Sequence, residues 1–238
     1  MIPKIQILWP WELPDKLSGT TAIVVDIFAA SSNIANLLSK NTREIILANN
    51  KNVLTYKKKY QDSLTVGESM DANLKNIFDC DNSADNIDKL SVSGRSIIYM
   101  SNNGSRIIEE IIDKEPSRVA AGSLTVASAL KRWIQKERID DLVIVPAGEI
   151  NLAKELPNKK AMEDMICSRI LKEVISGRED DFSPDIDVAK NFVRKFYSVF
   201  TTKLEEEIDI VFTIDRYRVL PLCFRGEDGI IHIKNAAS

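Results

Sequence analysis

The chain has 238 residues, 44% of them hydrophobic and 28% charged, with a formal net charge of −3. That length and balance describe a soluble globular protein able to bury a full core, with no basic footprint for nucleic acid. Cys80, Cys167 and Cys223 fit neither a zinc spacing nor a disulfide framework, which points to a reducing cytosol, and the lone His232 argues against a Ser-His-Asp hydrolase or a His-liganded zinc site.

At the chain start no cationic segment precedes an apolar stretch, so no signal peptide is expected, and no apolar run reaches the length of a membrane span. Ile5 to Trp9 reads as a first strand, and Ala22 to Val25 as a continuous apolar strand ending at Asp26. Ser32 to Ser39 carries Ile34, Leu37 and Leu38 at helical spacing. Glu44 to Ala48 reads as a strand, Asn50 to Tyr60 as a lysine-rich helix, and Leu64 to Val66 as a short strand ending at Gly67-Glu68. Residues 69 to 95 read as irregular and polar, too long for a routine connection and therefore a binding loop.

Ser96 to Met100 reads as a buried strand and Ile107 to Ile112 as a helix body, joined by Ser101-Asn102-Asn103-Gly104-Ser105-Arg106. A small, polar turn opening a helix presents free N–H groups at a positive helix end, and Arg106 adds a guanidinium suited to phosphate or sulfonate. An ordinary strand-to-helix turn uses the same residue types. Arg118 to Ala121 reads as a strand, with Gly122-Ser123 opening a helix through Trp133. Leu142 to Val145 reads as a buried strand ending at Pro146-Ala147-Gly148-Glu149. Met162 to Ile175 has helical spacing, Gly177 to Pro184 reads as a surface loop, and Asp187 to Lys203 as a helix. Residues 220–224 and 230–233 read as a closing hairpin.

This alternation predicts βα units and a mostly parallel or mixed sheet covered by helices on both faces, a three-layer α/β/α sandwich. In such sheets ligands lie outside the carboxyl ends of the strands. If the strands are parallel neighbours, Asp26, Gly67-Glu68, Asn102 to Arg106, Gly122-Ser123 and Gly148-Glu149 share one edge. Carboxylates beside anion-binding turns suit Mg²⁺ and a phosphate together. Asp26 also fits a helix N-cap or a buried salt bridge. Glu163 and Asp164 open the helix carrying Cys167. They are either carboxylates favoured by the helix dipole or a metal ligand or general base reaching the site.

Taken together, these residues resemble the 2-phosphosulfolactate phosphatase family over roughly residues 20 to 175. The family's strand-Asp-Arg-Ala-Thr-Thr signature corresponds to Val24-Val25-Asp26 followed by Ile27-Phe28-Ala29-Ala30-Ser31-Ser32, with Ala29 where the family has arginine. Its Gly-Glu-Arg corresponds to Gly67-Glu68-Ser69, and its Gly-Phe-Asp-x-Gly-Asn-Ser-Pro to Ile77 to Ala84, which keeps Phe78, Asp79, Asn82 and Ser83. Thr-Thr-Asn-Gly-Thr-Arg appears as Ser101 to Arg106, Gly-Ser as Gly122-Ser123, Ala-Gly as Ala147-Gly148, and the acidic helix start as Glu163-Asp164.

The resemblance implies one phosphatase-like domain over 1–238 and a cytoplasmic, Mg²⁺-dependent enzyme. Its substrate would be (R)-2-phospho-3-sulfolactate or a related small phosphomonoester, on the route to coenzyme M. Asp26, Glu68 and one of Glu163 or Asp164 would hold Mg²⁺ or activate water. Asn103, Gly104, Ser105 and Arg106 would hold the phosphoryl group, with Ser123 and Gly148 assisting and Asp79 and Asn82 lining a loop over the substrate. A homo-oligomer is compatible with this reading. The arginines absent at Ala29 and Ser69 favour a rival, a catalytically silent relative binding a small anionic metabolite; Asp26, Glu68 and Arg106 favour the enzyme.

Overall fold

A computed structural model of the chain describes residues 2–148, 161–178, 180–198 and 201–236. Among these, the strands are β1 Lys4–Ile7, β2 Thr21–Val25, β3 Glu44–Leu47, β4 Leu64–Gly67, β5 Ser96–Met100, β6 Arg118–Gly122, β7 Asp141–Pro146, β8 Pro221–Arg225 and β9 Ile231–Asn235. They form one mixed sheet in the order β1-β7-β2-β6-β8-β9-β3-β5-β4. The helices are α1 Ala30–Ser39, α2 Val53–Lys59, α3 Ala84–Lys89, α4 Gly104–Asp113, α5 Ala127–Lys136, α6 Met162–Ile175, α7 Ser183–Tyr197 and α8 Leu204–Val211. They cover the sheet in a three-layer α/β/α arrangement, and among the described residues no helix is long and apolar enough to cross a membrane.

The apolar runs fold as buried strands because both faces are covered. Alternate residues serve different layers: Ile45, Ile97 and Tyr99 join the main core, whereas Ile46, Ile98 and Met100 form a second, smaller core with Val53 and Leu74. Helix α4 owes its place to four isoleucines in ten residues, three of which (Ile107, Ile108, Ile111) are fully buried.

The closing hairpin is present as β8 and β9, and it pairs antiparallel with β6 on one side and β3 on the other, inside the sheet. Two expectations change. The segment 69–95 is not irregular throughout: it holds a short 3₁₀ turn, Ala72–Leu74, and α3, which Ser83 caps by accepting the Asn86 N–H. Six residues are too few for periodicity to register. The helix expected over 187–203 begins earlier, at Ser183 with Pro184 in its first turn, and stops at Tyr197, while α8 is a separate element. Glu149 lies outside the described residues.

The central hairpin positions the site. Three successive antiparallel pairings reverse the chain direction between the parallel blocks β1-β7-β2-β6 and β3-β5-β4. In a flat sheet the carboxyl ends of β2 and β5 would therefore point to opposite edges. Five steps separate those strands, and sheet twist of about 20–25° per step turns one against the other by roughly 100–125°. That rotation undoes much of the reversal. The turn after β5 then meets the turn after β2, so closely that a Cβ on Gly104 would stand 2.4 Å from the Cβ of Ala30.

Candidate functional site

The site is built around Asp26, the residue that follows β2. It is 7% exposed, and its backbone N–H donates to the Ser31 hydroxyl (3.0 Å) while its carbonyl accepts the Ser31 N–H (2.8 Å). Its carboxylate accepts backbone N–H groups of Ala30 (3.4 Å to Oδ1), the first residue of α1, and of Gly104, the first residue of α4. Two helix N-termini thus converge on one carboxylate. Burial nevertheless lifts its pKa to about 6; the two N–H groups oppose that rise and the Glu68 charge adds to it.

Asp164, near the start of α6, is 3% exposed and ties two other turns to Asp26. Its Oδ1 accepts the Ile27 N–H at 2.8 Å and its Oδ2 accepts the Gly148 N–H at 3.2 Å. Burial, with the charges of Glu163 and Asp26, holds its pKa well above the carboxylate range. Glu163 is 1% exposed and accepts the Tyr197 hydroxyl at 2.9 Å. Both carboxylates of this pair therefore engage protein donors: Asp164 holds loops in register, and Glu163 faces α7. Cys167, one turn on, is fully buried, and burial pushes its thiol pKa well up, as expected of a structural thiol.

Glu68 follows Gly67, whose φ of +140° and close passage over β5 admit no side chain: a Cβ there would stand 1.8 Å from the Met100 carbonyl oxygen. That passage turns Glu68 toward the site. The residue as a whole is exposed, yet its carboxyl end is enclosed enough that desolvation raises its pKa. Hydrogen bonds from the Asn102 backbone and from the Asn82 and Asn102 side chains oppose the rise, and Asp81 reinforces it. Asn82 is itself fixed from behind, its Oδ1 accepting from the Tyr99 hydroxyl (2.5 Å) and the Asn33 amide (3.1 Å).

The turn before α4 is more occupied than the sequence suggests. Ser101 and Ser105 cap one another, each N–H donating to the other's hydroxyl at 2.9 Å. The Gly104 N–H faces Asp26. Asn103 donates to the Gly148 carbonyl at 2.6 Å and accepts from Arg106 at 3.1 Å. Arg106 also pairs with Glu110 at 3.3 Å and stays part-exposed, so its guanidinium is the group of this turn that can meet a soluble anion.

Asp26, Glu68, Asn82, Asn103, Gly104, Arg106, Gly148 and Asp164 are thus linked by the contacts just given, whereas Ser105 is engaged with Ser101 and Glu163 with Tyr197. Two further predicted residues are not drawn into that network. Asp79 accepts the Thr65 N–H at 2.8 Å near the amino end of edge strand β4 and sits 3.6 Å from Lys57. Ser123 is fully buried, its hydroxyl 2.6 Å from that of Thr125. Sequence reasoning missed Ser31, Asn33, Tyr99 and Tyr197. Ser31 and Asn33 had a signal: residues 27–39 carry no charged side chain, the mark of a buried helix in which polar groups need partners, and Ala30 to Leu38 are all buried. Tyr99 and Tyr197 gave none.

A family model described as 2-phosphosulpholactate phosphatase matches residues 7–223. The chain belongs to that family. Curated relatives bearing the name probable 2-phosphosulfolactate phosphatase include one from Thermoplasma volcanium, 28% identical across 67% of this chain and 69% of its own length. Another, from Thermoplasma acidophilum, is 24% identical across 84% of each chain. A third, from Caldanaerobacter subterraneus, is 23% identical across 88% of this chain and 90% of its own.

Mg²⁺ is the ion that the family resemblance implies. Among the described residues no three His, Cys, Asp or Glu side chains form a ready-made metal cage. Mg²⁺ does not need one; it takes one or two carboxylates and leaves its other positions to water and phosphate oxygens. Asp26 and Glu68 fit that demand, since each is a carboxyl raised by desolvation and the Glu68 charge raises Asp26 further. A bound cation would relieve both.

Proposed function

We propose that this chain is a Mg²⁺-dependent phosphatase of small phosphomonoesters, acting on (R)-2-phospho-3-sulfolactate or a near analogue. The observation that carries the reading is Asp26, a buried carboxyl at the meeting of two helix N-termini with Glu68 beside it, in a chain matched by the family model over residues 7–223. Asp26 and Glu68 would hold the metal. When bound, Mg²⁺ supplies positive charge against the phosphoryl oxygens and a water of lowered pKa. Arg106, steadied by Asn103 and Glu110, offers donors to the phosphoryl or acid oxygens of the substrate. Asp164 keeps the 27 and 148 turns in register through its two backbone hydrogen bonds.

A second reading has its own support. Ala29 and Ser69 stand where the family resemblance has arginine, and the Ser69 hydroxyl is turned to Asn50 at 2.8 Å. Losing charge-assisted contacts to a multiply anionic substrate favours a changed substrate or a silent binder. Phosphate release from 2-phosphosulfolactate and a panel of small phosphomonoesters, with Mg²⁺ and with chelator, separates the two. Chelator-sensitive release that vanishes in Asp26→Asn is the expected result. Folded protein that binds phosphate or sulfolactate and releases nothing from any compound would establish the silent binder instead.

A further inference from the structure

Behind Glu68 lies a chain of side chains that the proposed phosphatase chemistry does not touch. Asn33 sits on α1 and is fully buried; Tyr99 is the penultimate residue of β5 and is fully buried; Asn82 lies between them and the site. The amide of Asn33 lies 2.8 Å from the main-chain carbonyl of Asn82 and 3.1 Å from its side chain. A main-chain carbonyl only accepts, so the Asn33 group there is its NH₂. The Asn82 atom it also touches is therefore the carboxamide oxygen. The Tyr99 hydroxyl, 2.5 Å from that same oxygen, must donate as well. With its oxygen held by two donors, Asn82 can present only its NH₂ outward, where it donates to Glu68. Asn33 keeps this arrangement while its own Oδ1 has no hydrogen-bond partner in the interior, an unsatisfied buried acceptor of the sort that calls for an explanation.

We propose that Tyr99 and Asn33 are positioning residues which lock the Asn82 carboxamide in one of its two orientations, so that its NH₂ holds the Glu68 carboxylate toward Asp26. The lock spans three elements, α1, the 69–95 segment and β5, and so couples the turn after β2 to the turn after β4. It rests on the proposed role of Glu68 only for its consequence, not for its geometry.

Two measurements test it separately. In protein labelled with ¹⁵N at asparagine, Glu68→Gln should shift the Asn82 side-chain NH₂ resonances, and the same substitution made on Tyr99→Phe should shift them far less. Equal shifts in both backgrounds would overturn the lock, whether or not the protein is an enzyme. The second is Mg²⁺ affinity, read by calorimetry on protein without substrate. Outer-shell partners typically carry about 10–100-fold in metal affinity, so Asn82→Ala should weaken binding within that range and Tyr99→Phe by less. The double variant should be no weaker than Asn82→Ala alone, because Tyr99 acts through Asn82. Additive losses would overturn the proposal. Absence of Mg²⁺ binding in the unaltered protein would instead refute the proposed metal role and leave the resonance shifts to decide the lock. If Tyr99→Phe fails to fold, Asn33→Asp, which places a second acceptor against the Asn82 oxygen, is expected to give the same loss of shift.

Discussion

Gly104→Ala sets two effects of known size against each other. In a helix, alanine is favoured over glycine by up to about 1 kcal/mol, and Gly104 is the first residue of α4. Sequence logic alone would therefore accept the change. The structure reverses the sign. A Cβ there would stand 2.4 Å from the Ala30 Cβ and 2.6 Å from Asp26 Oδ2, where carbon atoms normally rest about 3.5–4.0 Å apart. Neither obstacle is the tip of a flexible chain. The Ala30 Cβ moves only with the backbone of α1, and the Asp26 carboxylate is held by two N–H groups. Overpacking of this kind costs about 1–3 kcal/mol, which outweighs the propensity gain. Urea unfolding should show that net loss, with phosphate release abolished because Asp26 is displaced. Adding Ala30→Gly removes the carbon–carbon overlap but not the one with Asp26, so stability should recover in part while activity does not. A Gly104→Ala protein as stable and active as the unaltered one would refute the convergence of α1 and α4 on Asp26.

Two further outcomes follow from the buried carboxylates. Asp26 is raised from 3.8 to about 6, so its ionisation works against folding. The native state loses stability as pH climbs from about 4 through 6, by ~3 kcal/mol in metal-free protein. Asp26→Asn should remove that slope, so that urea unfolding between pH 3.5 and 8 no longer shows the fall, while activity is lost. Asp164→Asn keeps one acceptor and sets an NH₂ against the other backbone N–H; at ~1–3 kcal/mol for an unsatisfied buried donor, it should destabilise the fold. Hydrogen exchange should show Ile27 or Gly148 losing protection, and unchanged protection at both would count against the register role.

The sequence made the strands legible because apolar runs such as Ala22 to Val25 and Ser96 to Met100 are buried on both faces, and composition alone marks such runs. It also marked the turns that carry Asp26, Glu68 and Arg106. It could not reveal that the hairpin enters between β6 and β3, because pairing partners a hundred residues apart leave no local trace. Nor could it show that the helix end at Gly104 is already filled. Spacing exposes an N–H group; it does not say that a carboxylate from another strand end has reached it. Asp79 illustrates the converse: its place beside Asn82 in the chain suggested a shared loop, but it turns to the backbone of the edge strand at Thr65.

The arrangement around Asp26 explains why position, more than affinity for a proton, is what the fold controls. Helix N-termini normally favour the charged carboxylate, and two of them meet here, yet desolvation still dominates and lifts the pKa to about 6. The N–H groups of Ala30 and Gly104 therefore do more to fix the carboxylate than to charge it. The same holds for Glu68, held by Asn102 and Asn82 while desolvation raises it. Two carboxyls fixed by neutral donors and left short of compensating charge form a site that gains most when positive charge arrives. Arg106 is already shared with Glu110 and Asn103. Under the proposed function the missing charge is the divalent cation, which makes Mg²⁺-linked stabilisation, lost on Asp26→Asn, the physical counterpart of catalysis.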